Sequence, residues 1–98
     1  MKKLTGKEKK YLRGLAHALN PVVIIGKNGF SEQVEAQIDE ALTAHELIKI
    51  KFIDYIDEKK EIAEKIAENL KCECCGSVGH TFTFFRQNED PDKRKVEF

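Results

Sequence analysis

A run of four β-branched residues at positions 22–25 constrains the fold of this chain more than any other feature. The run reads Val-Val-Ile-Ile, follows Asn20-Pro21 and stops at Gly26. Proline cannot continue a helix and disfavours the helical region in the residue before it, so a new element must begin here. A short, unbroken β-branched run predicts a strand that is buried on both faces.

Patterns with helical spacing stand on both sides of this strand. Apolar residues at three- and four-residue spacing predict a first helix over residues 5–19, where Thr5 and Glu8 match a capping box. A second helix is predicted after Ser31 and a third after Asp57, since both side chains can cap a helix N-terminus. The predicted buried face of the first helix consists of Leu4, Tyr11, Leu12, Leu15, Ala16 and Leu19.

Alternating patterns predict three further strands. In the first of them Ile48, Ile50 and Phe52 alternate with Lys49 and Lys51, which gives one buried face and one cationic face. Residues 74–78 and 81–86 complete the sheet. The predicted order is α-β-α-β-α-β-β, and the predicted fold is a two-layer α/β sandwich.

The length of 98 residues leaves room for a single domain, which we place at residues 1–87. Residues 88–98 are mostly polar and are expected to form a frayed tail. No apolar run approaches the roughly 20 residues that span a bilayer, and the charged N-terminus lacks the apolar segment of a signal peptide. We therefore expect a cytoplasmic protein without membrane contact.

The charges are sorted along the chain although the net charge is zero. Residues 31–70 carry eleven acids and five bases, whereas residues 1–30 carry one acid and seven bases. This asymmetry favours a basic surface for a polyanion such as RNA or DNA. A purely solubilising lysine-rich terminus is the alternative. The seven bases are Lys2, Lys3, Lys7, Lys9, Lys10, Arg13 and Lys27.

The first helix gathers its cations on one side. At 100° per residue, Lys3, Lys7, Lys10, Arg13 and His17 fall opposite the apolar face. Gly6 and Gly14 lie within this stripe, although glycine costs a helix about 1 kcal/mol relative to alanine. Close approach of a phosphate–sugar chain would explain such a glycine, and a helix–helix contact in an oligomer is the alternative.

The loop Gly26-Lys27-Asn28-Gly29 connects the first strand to the second helix. It is similar to the GxxG loop with which KH domains clamp a nucleotide backbone. Its two glycines allow close approach, and a helix N-terminus attracts anions. This reasoning predicts that Gly29→Asp would weaken RNA binding and leave stability nearly unchanged.

Metal, cofactor and catalytic chemistry find little support. Cys72, Cys74, Cys75 and His80 lack the spacing of a zinc site, and unpaired cysteines fit a reducing compartment. The three histidines form no group with a nucleophile. We therefore expect a non-catalytic protein without metal or cofactor.

Three blocks of the sequence resemble a known family, the CRM domain (chloroplast RNA splicing and ribosome maturation). The first block is Leu-Ala-His-Ala-Leu-Asn-Pro-Val-Val-Ile-Ile-Gly-Lys-Asn-Gly at residues 15–29, and the others lie at 41–51 and 78–86. Together they resemble the bacterial stand-alone YhbY-like form over about residues 4–86. Phe85 departs from the family pattern, which commonly has tyrosine there, and the run at residues 72–75 is idiosyncratic.

The resemblance implies a fold like the C-terminal domain of translation initiation factor three, with a four-stranded mixed sheet. It also implies RNA as the partner: large-subunit precursor ribosomal RNA for bacterial members, and intron RNA for plant members. Gly26, Lys27, Asn28 and Gly29 match the RNA-contacting loop of the family. The complete candidate set adds Lys3, Lys7, Lys10, Arg13, His17, Lys49, Lys51 and Arg86.

The leading hypothesis is a monomeric assembly factor of the large ribosomal subunit. A protein-interaction module that docks an acidic partner is one alternative, and an RNA-binding protein that acts outside ribosome assembly is another.

Overall fold

The order of helices and strands in the computed structural model, which describes residues 3–97, is the predicted one. A single-turn 3-10 helix follows the last strand. The elements are α1 (Gly6–Ala16), β1 (Val23–Ile25), α2 (Glu32–His45), β2 (Leu47–Phe52), α3 (Lys59–Leu70), β3 (Glu73–Val78), β4 (Thr81–Phe85) and the 3-10 helix (Pro91–Lys93).

The four strands form one mixed sheet in the order β1-β2-β4-β3. β1 runs parallel to β2 with Val23 opposite Ile50, and the other two pairings are antiparallel. The mixed sheet that the family resemblance implies is therefore confirmed. A bulge between Cys74 and Gly76 interrupts the pairing of β3 with β4.

The main core lies between the sheet and the pair α2 and α3. Ile48, Ile50 and Phe52 point to this inner face, as the alternating pattern predicts, and so do Phe82 and Phe84 of β4. The Phe52 and Phe82 rings meet edge to face with centroids 5.4 Å apart. The helices contribute Ile38, Leu42, Ile62, Ala63, Ile66 and Leu70 to the same core.

Helix α1 packs on the other face of the sheet. A second, smaller core joins Leu12 and Ala16 of α1 to Leu47, Cys75 and Phe85. The two-layer description therefore holds for the sheet with α2 and α3, and α1 adds a partial third layer. Helical periodicity shows which side of a helix is buried, but it does not show which face of a sheet that side will cover.

Helix α1 ends three residues earlier than predicted. Its capping box forms as expected, since Thr5 and Glu8 each accept the other's backbone N–H. The predicted burial of Tyr11, Leu15 and Leu19 is wrong, because each is at least 40% exposed. Leu19 lies beyond the end of the helix at Ala16, and within α1 only Leu12 and Ala16 are buried, so the buried stripe is narrower than predicted.

Two further predictions about local structure are wrong. β1 is an edge strand with only one covered face, which leaves Ile24 54% exposed, because α1 does not extend across the sheet to cover it. Asp57 does not cap α3. The N-cap position is Glu58, and its side chain makes no capping hydrogen bond.

The C-terminal segment folds back onto the domain over the described residues 88–97, so the predicted frayed tail is wrong. Glu46, fully buried at the end of α2, holds it in place. Its carboxylate accepts hydrogen bonds from the backbone N–H groups of Asn88 (2.6 Å), Lys95 (2.5 Å) and Val96 (2.9 Å). Composition gives no sign of such a contact, because the donors are main-chain groups that every residue except proline possesses.

No helix within residues 3–97 is long and apolar enough to cross a membrane.

Candidate nucleic-acid interface

Helix α1 covers only one end of the outer sheet face, and the remainder of that face is open. Lys51 of β2 lies there between Ile24 of β1 and Thr81 of β4, while Lys49 lies beside Thr83. The pleat of the strands directs these residues to the outer face, where Ile24 and Lys51 are exposed, Lys49 and Thr81 are partly exposed, and Thr83 is only 7% exposed. The open part of the sheet is therefore a floor of lysine, threonine and one isoleucine.

A groove of about 580 Å³ runs between this floor and the polar side of α1, and we call it the basic groove. It brings together four of the predicted site residues, Lys10, Arg13, His17 and Lys49. Its described lining contains no acidic side chain. The lining residues are Lys10, Arg13, Gly14, His17, Pro21, Lys49, Gly76, Ser77, Val78, Thr81 and Thr83.

Arg13 is held in the wall of the basic groove by strand β3. Its Nη1 donates to the Cys75 carbonyl oxygen at 2.6 Å. Gly76, at the bulge, has a φ of +147°, and a Cβ there would lie 2.7 Å from Arg13 Cδ. The bulge and the missing side chain thus make room for Arg13, because any other residue would displace it.

The floor and the segment that follows α1 are tied together. Lys49 Nζ donates to the Leu19 carbonyl oxygen at 3.1 Å, and the Lys49 carbonyl accepts from Val22 N at 3.0 Å. This fixes the stretch between α1 and β1 against β2. The groove is consequently a preformed feature of the fold.

Gly14 lies in the wall of the basic groove and has open space where a side chain would be. Nothing lies within 4 Å of the position that its Cβ would occupy. The fold itself therefore does not require a glycine there, and the absent side chain leaves the groove wider. Lys3 and Lys7 are exposed nearer the start of the chain and do not line the groove.

The Gly26–Gly29 loop is a tight turn supported by Tyr55. Gly29 N donates to the Gly26 carbonyl at 2.9 Å, and Gly29 has a φ of +65°. The Tyr55 hydroxyl donates to the Lys27 carbonyl at 3.1 Å, and its ring lies beneath Gly29. Lys27 and Asn28 remain exposed at the tip. The loop therefore presents one cation and one amide on a braced backbone.

The N-terminus of α2, next to this loop, already carries negative charge. Ser31 Oγ accepts from Val34 N at 3.2 Å, as the sequence predicts. Glu32 and Glu35 stand in the first turn, where they interact favourably with the helix dipole. An approaching anion would therefore gain less from this helix end than the sequence pattern suggests, and Lys27 is the principal attraction of the loop.

The expectation that Gly29→Asp would leave stability unchanged is wrong. Gly29 is buried, its backbone is in the left-handed region, and a Cβ would lie 3.1 Å from the Tyr55 ring. Any side chain at this position would strain the turn, and a carboxylate would also be partly desolvated. A loss of RNA binding in Gly29→Asp would therefore not distinguish a binding defect from a folding defect.

We expect Gly29→Ala to lower the free energy of unfolding by about 1–3 kcal/mol, because it adds left-handed strain and a close contact. Gly14→Ala is the matched control. It should raise stability by about 0.5–1 kcal/mol, since alanine favours a helix and has free space there. Urea unfolding followed by circular dichroism measures both. Equal effects of the two variants would contradict the strained turn.

Lys51 joins the loop to the basic groove. It is exposed and pairs with Ile24, two residues before Gly26, while its other neighbour, Thr81, lines the groove. Adjacent strands lie about 4.8 Å apart, so the loop, Lys51 and the groove form one continuous surface. Acidic Asp54, Asp57 and Glu58 line a depression together with Tyr55, so the surface next to the supporting residue of the loop is acidic.

Arg86 does not join the other predicted site residues. It follows β4 at the end of the sheet opposite the loop, about 20 Å away at 3.3 Å per strand residue. Its guanidinium donates to Asp39, to Thr43 Oγ1 (2.9 Å) and to the Leu70 carbonyl (3.0 Å), and it forms an ion pair of 2.7 Å with Asp39. Its place in the structure is to tie α2, α3 and β4 together.

The three cysteines are packing residues. Burial raises the pKa of Cys72 and of Cys75 to about 12, and burial likewise raises the pKa of Cys74. Their thiols are therefore protonated at neutral pH and are poor nucleophiles and metal ligands. Within residues 3–97 no three His, Cys, Asp or Glu side chains are grouped to hold a metal ion.

The conserved-domain family described as the CRS1 / YhbY (CRM) domain matches residues 4–86 of this chain. The chain belongs to the CRS1/YhbY family. The resemblance drawn from the three sequence blocks is therefore confirmed.

Relatives of the same size support the assignment. The chain is 42% identical over 91 residues to a Haemophilus influenzae protein named "RNA-binding protein", with 92% of each chain covered. It is 34% identical to a Bacillus subtilis protein with RNA-binding in its name, covering 89% of this chain and 92% of that one. A solution structure of a Staphylococcus aureus protein superposes with a TM-score of 0.80 at 36% identity, covering 97% and 100% of the two chains.

Three contributors to this CRS1/YhbY surface escaped the sequence analysis. Tyr55 supports the loop from the connection between β2 and α3, which the sequence pattern marks only as a polar segment. The signal that pointed to a role for it was an aromatic residue between Asp54 and Asp57. Gly76 accommodates Arg13, and the register that brings Thr81 into the groove depends on the strand pairing. Neither contact is encoded locally in the sequence.

Proposed function

We propose that this protein binds RNA through the basic groove and the Gly26–Gly29 loop, and that it acts as a monomer in the cytoplasm on precursor RNA of the large ribosomal subunit. The observation that carries the RNA-binding part is the continuous surface from Lys10 and Arg13 through Lys49 and Lys51 to Lys27. The names of its relatives agree with it. The ribosomal target comes from the family resemblance alone.

A surface on which basic side chains are separated from acidic ones in this way suits a polyanion better than a protein partner. Phosphates are met by lysines and one arginine on a preformed scaffold, while the acidic side chains of α2 and α3 lie on the other sheet face. Zero net charge removes bulk attraction, so RNA must engage the groove and the loop together. A partly folded ribosomal RNA offers backbone of defined shape.

Binding should depend steeply on salt. If three to five phosphates are contacted, a plot of log affinity against log salt should have a slope of about −2 to −4.5, at ~0.7 to 0.9 per contact. Lys27→Ala should make this slope shallower by about 0.7 to 0.9, because one contact is lost. Fluorescence anisotropy at several salt concentrations measures both. An affinity that does not change with salt would exclude phosphate contacts.

Gly14 tests whether the groove itself receives the ligand. We expect Gly14→Gln to weaken RNA binding about tenfold, because an uncharged side chain would fill the wall of the groove without changing its charge. Gly6→Gln is the matched control. A side chain at Gly6 would also extend into open space, but Gly6 does not line the groove. Equal affinities of the two variants would place the RNA elsewhere.

The ribosomal target is tested by gradient sedimentation of a cell extract with detection of the native protein. We expect it with precursors of the large subunit, little of it on mature 70S particles and none on the small subunit. Treatment with ribonuclease should release it. Sedimentation that survives ribonuclease would favour an acidic protein partner, and a peak of free protein alone would favour an RNA target outside ribosome assembly.

A further inference from the structure

The chemistry of the groove floor discriminates between two forms of RNA. Single strands are held chiefly by stacking their bases on aromatic side chains, which contributes about 5- to 150-fold in affinity per base. Paired RNA hides its bases and presents phosphates and 2′-hydroxyls, across a wide and shallow minor groove. A surface that binds single strands should therefore carry aromatic side chains. A surface that binds paired RNA should carry cationic side chains and side chains with hydroxyl groups.

The aromatic side chains within residues 3–97 lie outside the basic groove. Phe52, Phe82, Phe84 and Phe85 are buried in the two cores, and Phe30 packs against the larger one. Tyr55 and Tyr11 are 38% and 48% exposed, but the Tyr55 ring supports Gly29, and the Tyr11 hydroxyl donates to the Glu97 carbonyl at 3.1 Å. None of these seven rings lines the basic groove.

The groove and the adjoining Lys51 instead offer cations and hydroxyl groups. Lys51 and Thr81 are neighbours across β2 and β4, and Lys49 and Thr83 are the next pair, about 6.6 Å along the strands. Thr83 is only 7% exposed, so Thr81 supplies the more accessible hydroxyl of the two threonines. Exposed Ile24 and Val78 flank the floor and can contact ribose, but they offer no π face for a base. His17 supplies one imidazole at the end of α1, too little for a stacking platform.

We propose that the RNA bound here is a base-paired segment, recognised through its phosphates and 2′-hydroxyls and without base stacking. This inference rests on the proposed RNA-binding function and narrows its substrate class. The loop then contacts a second stretch of the same backbone, with Lys27 and Asn28 as donors to phosphate. Because no base edge is read, changing the sequence of the paired segment alters binding little.

The purified full chain is tested by fluorescence anisotropy against three probes of equal length in the same buffer. They are an RNA hairpin with a stem of about 16 base pairs, the same hairpin in DNA, and an unstructured uridine oligonucleotide. We expect the RNA stem to bind at least tenfold more tightly than either of the others. Shuffling the stem sequence should change its affinity less than about threefold.

Two variants separate the recognition modes. Thr81→Val removes a hydroxyl while keeping a β-branched side chain in the strand, and it should reduce the preference for the RNA stem over the DNA stem. Tyr11→Leu removes an exposed ring that lies outside the groove, and it should change affinity for the RNA stem less than about threefold. Uridine binding as tight as the stem, or a loss of binding in Tyr11→Leu, would overturn the inference and leave RNA binding intact. Absence of binding to either RNA would refute the proposed function as well.

Discussion

The double variant Lys10→Glu/Lys51→Glu should bind RNA about 30- to 1,000-fold more weakly than the unaltered protein. Lys10 lines the helix wall of the basic groove and Lys51 connects the groove to the loop, so the variant replaces two attractions with two repulsions. Charged contacts of this kind contribute about 1–2 kcal/mol each, and tenfold in affinity corresponds to about 1.4 kcal/mol. Fluorescence anisotropy with an RNA hairpin at low salt measures the loss.

The double variant Lys60→Glu/Lys65→Glu is the matched control. It makes the same change in net charge on exposed positions of α3, which packs on the opposite face of the sheet. Its affinity for RNA should fall less than about threefold. A similar loss in both double variants would mean that overall charge, and not the groove, governs binding. Both variants should unfold at the same denaturant concentration as the parent, because all four lysines are exposed.

Glu46→Ala should lower the free energy of unfolding by about 3–5 kcal/mol, the largest effect on stability that we expect from one side chain. The carboxylate is fully buried and accepts three backbone N–H groups of the C-terminal segment. Its removal leaves those donors unpaired, at a cost of about 1–3 kcal/mol each, which partial exposure of the segment can relieve. Urea unfolding measures the total.

The C-terminal segment should also become accessible in this variant. It contains Lys93-Arg94-Lys95, so limited trypsin digestion should cleave Glu46→Ala there well before the parent protein. Glu40→Ala, an exposed acid on the same helix, is the control and should change stability by less than about 0.5 kcal/mol. Indistinguishable unfolding of the two variants would show that the buried carboxylate does not hold the segment.

The part of the fold that could be predicted from the sequence rests on local patterns. The periodicities of two and 3.6 gave the order of the elements, and the capping residues Thr5 and Ser31 lie where they were expected. The outward direction of Lys49 and Lys51 also followed from alternation alone. Each of these features depends on neighbours within a few positions, which is the range over which sequence patterns act.

The remainder depends on contacts between distant parts of the chain. Helix α1 covers the outer face because Leu47, Cys75 and Phe85 meet there and form an apolar surface. Their meeting depends on the strand order, which local patterns do not predict. Arg86 looked like one more surface cation because its partners on α2 and α3 lie 16 to 47 positions away. The burial of Glu46 and of Gly29 could not be predicted for the same reason, since it depends on the C-terminal segment and on Tyr55.

Both edges of the sheet are poor templates for joining another sheet. β1 has only three residues and is closely preceded by Pro21, which has no N–H to donate, while the bulge at Gly76 disturbs the spacing of β3. A neighbouring chain would therefore find few consecutive donors and acceptors to pair with. The protein should consequently remain dispersed at high concentration, even though Ile24 and Val78 expose apolar side chains beside these edges.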